Sequence, residues 1–461
     1  MEVPFFCAFF VKSMEILGRI CYTISVSIKI QKGTFRMQNK FQRREIGKGI
    51  YFSRITDPRF KLNLISVRFL APISEETASE NAVVSRILTK SCRKYPSFAI
   101  LNNKLSALYA AKLGCHLSKF GDAQSIGISV SCIDNKYALE NENVNGEAVD
   151  ILIDCLFDPL LENGVFTEKT TSLERQALID DIEAELNDKQ AYASHKADEI
   201  MCKGEPAAVR ALGSVQQAKL ITAKSAYNAY QRMLAHCRIE IICVGCSDFE
   251  ASQKKLAEAF TKLNRNEIFP CGSKYSPLKE AVALVTEKLS VTQSKLVLGF
   301  KTDCRDLPAL QVMSAIYGGT TTSKLFLNVR EKMSLCYYCW SSVSRTKGIL
   351  TVASGVENEN LETAKNEIIA QLEAMKNCDF TDEDIEYAKM YRRNLMKTVN
   401  DSISSMEAWY FTGIYNDDIK TPEEAVEEDE KVTREDIIKA ASSVKLDTVY
   451  ILTSDDEKKE D

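Results

Sequence analysis

The feature that most restricts this chain is an internal duplication, because a pattern written twice must build the same unit twice. The first copy opens on the apolar strand pattern Leu62-Asn63-Leu64-Ile65-Ser66-Val67-Arg68-Phe69, followed by a helical run over residues 80–89. The second answers with Ser294-Lys295-Leu296-Val297-Leu298-Gly299-Phe300 and a helix over 307–317. Both continue with a helix carrying a Lys-Leu step, Asn103-Lys104-Leu105 and Ser323-Lys324-Leu325. Two strand-like stretches come next, the second of them at 125–132 and 350–356, and then an amphipathic helix at 147–155 and 361–375. The same phrase then opens a further helix, Phe166-Thr167-Glu168 and Phe380-Thr381-Asp382. A threonine hydroxyl there can accept an orphan N–H of the first turn, and the acids suit the positive helix end. Each copy closes with a helix capped by Thr222 or Thr433 and a last strand, 239–244 or 448–452.

This order predicts an α+β protein of two tandem, similar domains, each a mostly antiparallel sheet backed by helices. A length of 461 residues with 45% hydrophobic content exceeds one core and fits that count. The expected division is an extension over 1–36, a first domain over 37–263, a linker over 264–287, a second domain over 288–454 and an acidic tail over 455–461. Pro270, Gly272 and Pro277 amid polar residues mark the linker.

Near balance of 59 basic and 64 acidic residues offers no general attraction to nucleic acid or to an anionic membrane, and neither partner is expected. The 15 cysteines are scattered through apolar stretches such as Ile241-Ile242-Cys243-Val244, as reduced core cysteines are, so a cytoplasmic location is expected. The spacings Cys243/Cys246 and Cys336/Cys339 are those of zinc or redox pairs, but each falls in a strand pattern without a nearby histidine. The first 36 residues hold two apolar patches broken by Lys12, Glu15, Arg19 and Lys29. Neither is long enough to span a bilayer. A signal-like segment and an over-called start ahead of Met37 are both open.

The stretch Gly318-Gly319-Thr320-Thr321-Thr322-Ser323-Lys324-Leu325-Phe326-Leu327-Asn328-Val329-Arg330-Glu331-Lys332-Met333-Ser334-Leu335-Cys336-Tyr337 resembles the second-domain signature of the insulinase/pitrilysin family of zinc peptidases. The resemblance runs from about Gly47 to Thr453. Active members of that family carry His-x-x-Glu-His on an early helix, where the histidines hold zinc and the glutamate acts on its water. Counted back from Arg93-Lys94-Tyr95-Pro96, the five positions here are Ala82, Val83, Val84, Ser85 and Arg86. A methyl, a hydroxyl and a guanidinium stand where the chemistry needs two imidazoles and a carboxylate. The family's third ligand matches Glu174, which on helical spacing shares a stripe with Leu178, Ile182 and Leu186. It is expected either to pair with Arg86 or to be a solvated rim carboxylate. His116, His195 and His236 are too far apart in sequence to form a helical or hairpin ligand pair, so no cofactor is expected in this chain.

Arg330 and Tyr337 match the residues that, in active relatives, hold the substrate carbonyl and its oxyanion from the closing domain, a role suited to guanidinium and phenol donors. The plain alternative is a helix-surface arginine and a core tyrosine. Within the family the chain most resembles non-catalytic, YfmF-like bacterial members that go with an active sister chain. The resemblance therefore implies a heterodimer in which the partner supplies zinc, and a peptide or unfolded polypeptide as substrate. A stand-alone metalloendopeptidase with unfamiliar ligands, and a peptide-binding scaffold without a peptidase partner, are the other readings.

Overall fold

The computed structural model describes residues 40–454; the apolar patches of the first 36 residues and the acidic tail lie outside them. The first half contributes β1 (Lys40–Gly47), β2 (Ile50–Thr56), β3 (Leu62–Pro72), β4 (Lys112–Phe120), β5 (Ala123–Ile133), the short hairpin β6 (Leu161–Glu162) and β7 (Val165–Phe166), and β8 (Arg238–Gly245). The second contributes β9 (Ala283–Lys288), β10 (Ser294–Lys301), β11 (Cys336–Ser344), β12 (Ile349–Val356) and β13 (Lys445–Thr453). Sheet order is β1-β2-β8-β3-β5-β4 in one and β11-β12-β10-β13-β9 in the other. Read from opposite ends, β4-β5-β3-β8-β2 and β11-β12-β10-β13-β9 are the same topology, with β1 added to the first. In both, one pair is parallel, β2 with β8 and β9 with β13, and the remaining pairs are antiparallel.

The α+β duplication is therefore as expected, and the linker needs correction. Its last residues form β9, the counterpart of β2, so the second unit begins before residue 288. Pro270, Gly272 and Pro277 drew the boundary too far because β9 is an edge strand with Leu284 and Val285 exposed, leaving no buried alternation to read. The rest of the segment is also held down. Ser273 accepts from the Asp122 amide at 2.8 Å and donates to the Phe120 carbonyl, and Ser276 donates to Glu205 at 2.9 Å.

Eight helices of the first half need naming in order: α1 (Glu75–Leu88), α2 (Phe98–Ala107), α3 (Val144–Phe157), α4 (Glu168–Ala184), α5 (Lys189–Met201), α6 (Val215–Lys219), α7 (Ala223–His236) and α8 (Glu250–Phe260). The second half adds α9 (Leu307–Ser314), α10 (Leu361–Lys376), α11 (Asp382–Val399), α12 (Ile403–Tyr415), α13 (Pro422–Lys431) and α14 (Arg434–Ser443). The threonine caps form as the sequence predicts. Thr167 accepts from the Thr170 amide, while Thr222, Thr381 and Thr433 each close a reciprocal capping box. The second-copy helix over 307–317 ends at Ser314 as an α-helix and continues as one π-wound turn, Ala315–Gly319.

Each half covers only one face of its own sheet and receives a helix from the other half on the opposite face. Helix α12 lies on the first sheet, packing Met406, Tyr410, Phe411 and Ile414 against Ile55, Leu70, Ile242 and Val244. In return, α5 lies on the second sheet, with Tyr192, Ala193 and Ala197 against Val297, Tyr450 and Leu452. Gly299 is required there, since a Cβ would stand 2.1 Å from the Met201 sulfur. Cover on both faces explains why β3 is buried along nearly its whole length, polar Asn63, Ser66 and Arg68 included.

The polar residues within these contacts are paired across them. Arg68 of β3 makes a two-pronged bond to Glu407 of α12, 2.6 Å on each prong, with its guanidinium 4.2 Å from the Phe411 ring. Lys301, almost fully buried, donates to the Met201 and Pro277 carbonyls at 2.8 and 3.0 Å and lies 3.3 Å from Asp447. Lys347 of the second half bridges Asp122 and Glu205 of the first at 3.0 and 2.7 Å.

Removing one member of a buried pair strands the other's charge, whereas removing both does not. Arg68→Ala should lower unfolding free energy by about 3–5 kcal/mol, and Arg68→Met combined with Glu407→Leu by clearly less, measured by urea denaturation. A second consequence involves His116 of β4, which lies across from Gly127, itself across from Arg68. Burial, then the Arg68 charge, pulls its imidazole down from 6.5 to about 4, against the opposing pull of Glu407. The folded state thus takes up the proton less readily than the unfolded chain. Stability from this group is complete above pH 6.5 and lost as pH falls toward 4. Denaturation midpoints of His116→Gln and the unaltered protein should converge over that window as acid is added, since the shared carboxylates cancel.

Candidate functional site

Helix α1 forms where Glu75 and Glu76 favour its N-terminal end and Arg86 its C-terminal end. Its face bearing the ligand-equivalent positions is built as packing surface. Ala82 is 1% exposed and Ser85 2%, and the Ser85 hydroxyl donates back to the Ala82 carbonyl at 2.9 Å. One turn earlier Ser79 donates to the Leu212 carbonyl and accepts from the Ser214 amide at 3.1 Å. Between them Gly213, at φ +75°, crosses so closely that a Cβ would fall 2.1 Å from the Ser79 hydroxyl. Gln124 braces the same segment, donating to the Ala78 and Ala211 carbonyls and accepting from Asn81. A strap of residues 211–214 therefore lies over the first half of the helix, a contact that the sequence signalled only through its glycine.

The expected pairing of Glu174 with Arg86 does not occur. Arg86 bonds Asp181 of α4, and Glu174, on the same helix two turns earlier, lies 3.5 Å from Lys90. The reason is reach along two packed helices: Asp181 lies opposite Arg86, and Lys90, one turn further along from Arg86, lies opposite Glu174. Glu174 is largely buried and is not the solvated rim carboxylate of the alternative. Methyl, hydroxyl and guanidinium groups do not fit a zinc ion. Among the described residues no three His, Cys, Asp or Glu side chains converge as metal ligands would. His116 lies half-buried on β4 of the first sheet, His236 stacks on Phe269, and His195 stands 3.8 Å from Glu185.

Arg330 and Tyr337 lie in the second half, on consecutive elements. Arg330 ends a π-wound helical segment, Leu325–Lys332, with its guanidinium 4.6 Å over the Phe326 ring and 3.6 Å from Glu331. It lines a cavity of about 550 Å³ walled also by Gly319, Phe326, Trp340, Met390 and Tyr391. A turn through Ser334, at φ +50°, leads into β11, and the Leu335 amide bonds the Val329 carbonyl at 3.0 Å. Tyr337 is not the core aromatic of the plain alternative. The pairing of β11 with β12 shifts between Cys336 and Tyr338, so Tyr337 is the extra residue of a β-bulge on an edge strand. It is 76% exposed, and among the described residues none hydrogen-bonds its side chain. Bulges re-aim one side chain out of the pleat, and this one aims a phenol away from the sheet.

Three comparisons bear on the arrangement. A model of the peptidase M16 inactive domain matches residues 220–391. A Bacillus subtilis protein named "Probable inactive metalloprotease YmfF" is 31% identical over 399 residues, covering 86% of this chain and 93% of that one. An uncharacterized zinc protease of Rickettsia bellii is 25% identical over 66% of this chain and 73% of its own length. Among solved structures, a conserved protein from Enterococcus faecalis matches with a TM-score of 0.82 at 28% identity, covering 91% of this chain and all (100%) of its own. A peptidase M16 inactive domain from Pseudomonas fluorescens matches with a TM-score of 0.75 at 14% identity, over 91% of this chain and 100% of its own, which concerns the fold alone.

The isolated chain, purified after growth in zinc-supplemented medium, should contain zinc well below one equivalent by elemental analysis. Stoichiometric zinc, with peptide hydrolysis abolished by a chelator, would overturn the assignment.

Proposed function

Since the chain belongs to the M16 (insulinase/pitrilysin) family and is an inactive metalloprotease homologue in it, we propose that it is the non-catalytic subunit of a two-chain peptidase. The partner is a homologous chain with intact zinc ligands. The observation that carries the proposal is the outward presentation of Tyr337 on a bulge that follows, a few residues on, an arginine lining a cavity. A guanidinium and a phenol are donors for a carbonyl oxygen that gains negative charge. In this reading they complete an active site whose metal belongs to the other chain.

Peptide would be held as an added strand. Both sheets end on an unpaired edge at equivalent positions, β4 in the first and β11 in the second. An extended peptide gains main-chain hydrogen bonds at such an edge with little demand on its sequence. The Arg330 cavity, walled by Phe326, Trp340, Met390 and Tyr391, suits an apolar or aromatic side chain of that peptide. Among the described residues no helix is long and apolar enough to cross a membrane.

The test mixes this chain with a homologue that retains His-x-x-Glu-His and follows a quenched peptide. Turnover should rise on mixing, and Arg330→Ala should remove about 10²–10³ of the gain if its guanidinium donates to the oxyanion. No gain, or a gain indifferent to Arg330→Ala and Tyr337→Phe, would refute the proposal.

A further inference from the structure

The bulge that exposes Tyr337 has a second effect, on the cysteines that flank it. In a regular strand, residues three apart point to opposite faces and their Cα atoms lie about 10 Å apart, beyond the span of a disulfide. Here Cys336 pairs with Val356 and Cys339 with Ser354, so three residues of β11 occupy two steps of β12. Two steps at about 3.3 Å bring the Cα atoms to about 6.6 Å, inside the window of about 4.4–6.8 Å that a disulfide tolerates. The same parity change puts both thiols on one face, the face that Leu350, Val352 and Val356 turn toward the core. There the Cys336 and Cys339 thiols act most strongly on each other, and Ser354 acts on both. Cys339 also forms part of the wall of the Arg330 cavity, and Cys336 is only partly covered, which gives a small oxidant an approach.

We propose that Cys336 and Cys339 are a redox-active dithiol, oxidised by a hydroperoxide to a disulfide that clamps the bulge carrying Tyr337. The Cys336 thiolate attacks one oxygen of the hydroperoxide, forming an S–O bond as the O–O bond breaks and an alcohol or water leaves. The Cys339 thiol then attacks the Cys336 sulfur, the S–O bond breaks, and the hydroxyl departs with a proton as water. Two thiols lose two electrons and two protons, and the peroxide is reduced by the same two electrons. Interaction with the Cys339 thiol lowers Cys336 to about 7 while raising Cys339, which assigns the first attack to Cys336. A bridge near the upper limit of Cα separation is strained and readily reduced, as a reversible modification requires. The inference stands on the bulge alone and does not depend on a partner chain.

A built-in comparison exists. Cys92 and Cys155 share the same thiol interaction, and the lower thiol is again pulled to about 7, yet both are wholly buried in the first core. The full chain is exposed to hydrogen peroxide, alkylated under denaturing conditions and digested with trypsin. Cleavage after Lys332 and Arg345 releases both cysteines in one peptide, Met333-Ser334-Leu335-Cys336-Tyr337-Tyr338-Cys339-Trp340-Ser341-Ser342-Val343-Ser344-Arg345. That peptide should be lighter by two hydrogens and unalkylated until reduced, with Cys92 and Cys155 still alkylated. In Cys339→Ser, Cys336 should stop as a sulfenic acid that dimedone captures. Amide exchange at Tyr337 and Tyr338 should slow on oxidation and recover on reduction. A peptide that stays fully alkylated, oxidation no faster than at Cys92 and Cys155, or a bridge that leaves exchange unchanged would each overturn the proposal.

Discussion

The ion pair of Arg68 and Glu407 is the contact on which the arrangement of the two halves depends. Each charge is buried at the boundary between the first sheet and a helix sent over by the second half. Separating the halves would leave an ion facing apolar surface, at a cost that neither side recovers alone. The reciprocal helix, α5 on the second sheet, is secured by the same device in a milder form. Tyr192 and Tyr450 both donate to Glu287, and Lys301 caps the Met201 carbonyl at the end of that helix. A duplicated chain can form two loosely joined domains. Here each sheet is completed by its neighbour's helix, so the repeat yields one compact body.

That rigidity matters for the residues left on its surface. The first-half face that carries zinc in active relatives is finished as packing: Ala82 and Ser85 are covered, Arg86 is tied to Asp181, and Gly213 lies tight against Ser79. No rearrangement of a few side chains would turn it back into a ligand set. The second-half element differs in kind. Arg330 and Tyr337 are held by backbone geometry, a π-wound segment and a bulge; the guanidinium rests on Phe326 and Glu331, and the phenol is turned outward. Strained or irregular backbone that turns polar groups outward is found where a protein acts on something outside itself.

Much of this was legible in the residues, and the reasons are specific. Thr167, Thr222, Thr381 and Thr433 announced helix starts because a cap is a local bond between a side chain and its own first turn. The strands at 62–69 and 294–300 were plain because burial on both faces enriches them in apolar, β-branched and aromatic residues. Strand β9 was missed because an edge strand carries little of that signal, and the prolines before it read as a linker. The pairing of Glu174 with Lys90 was missed because it depends on the stagger of two helices, which helical spacing within one of them does not specify.

The sequence by itself determined that the chain folds as a repeated α+β unit and that positions 82, 85 and 86 hold no zinc ligand, because periodicity, capping and coordination chemistry are properties of residue types and short spacings. Only the tertiary structure decided that the halves exchange helices, that a strap covers the first half of the vestigial helix, and that one extra residue in β11 turns Tyr337 outward and brings Cys336 and Cys339 to the same side. Those outcomes come from register between segments hundreds of residues apart or on facing strands, where a shift of one position reverses every side chain, and no local pattern records which register the core selects.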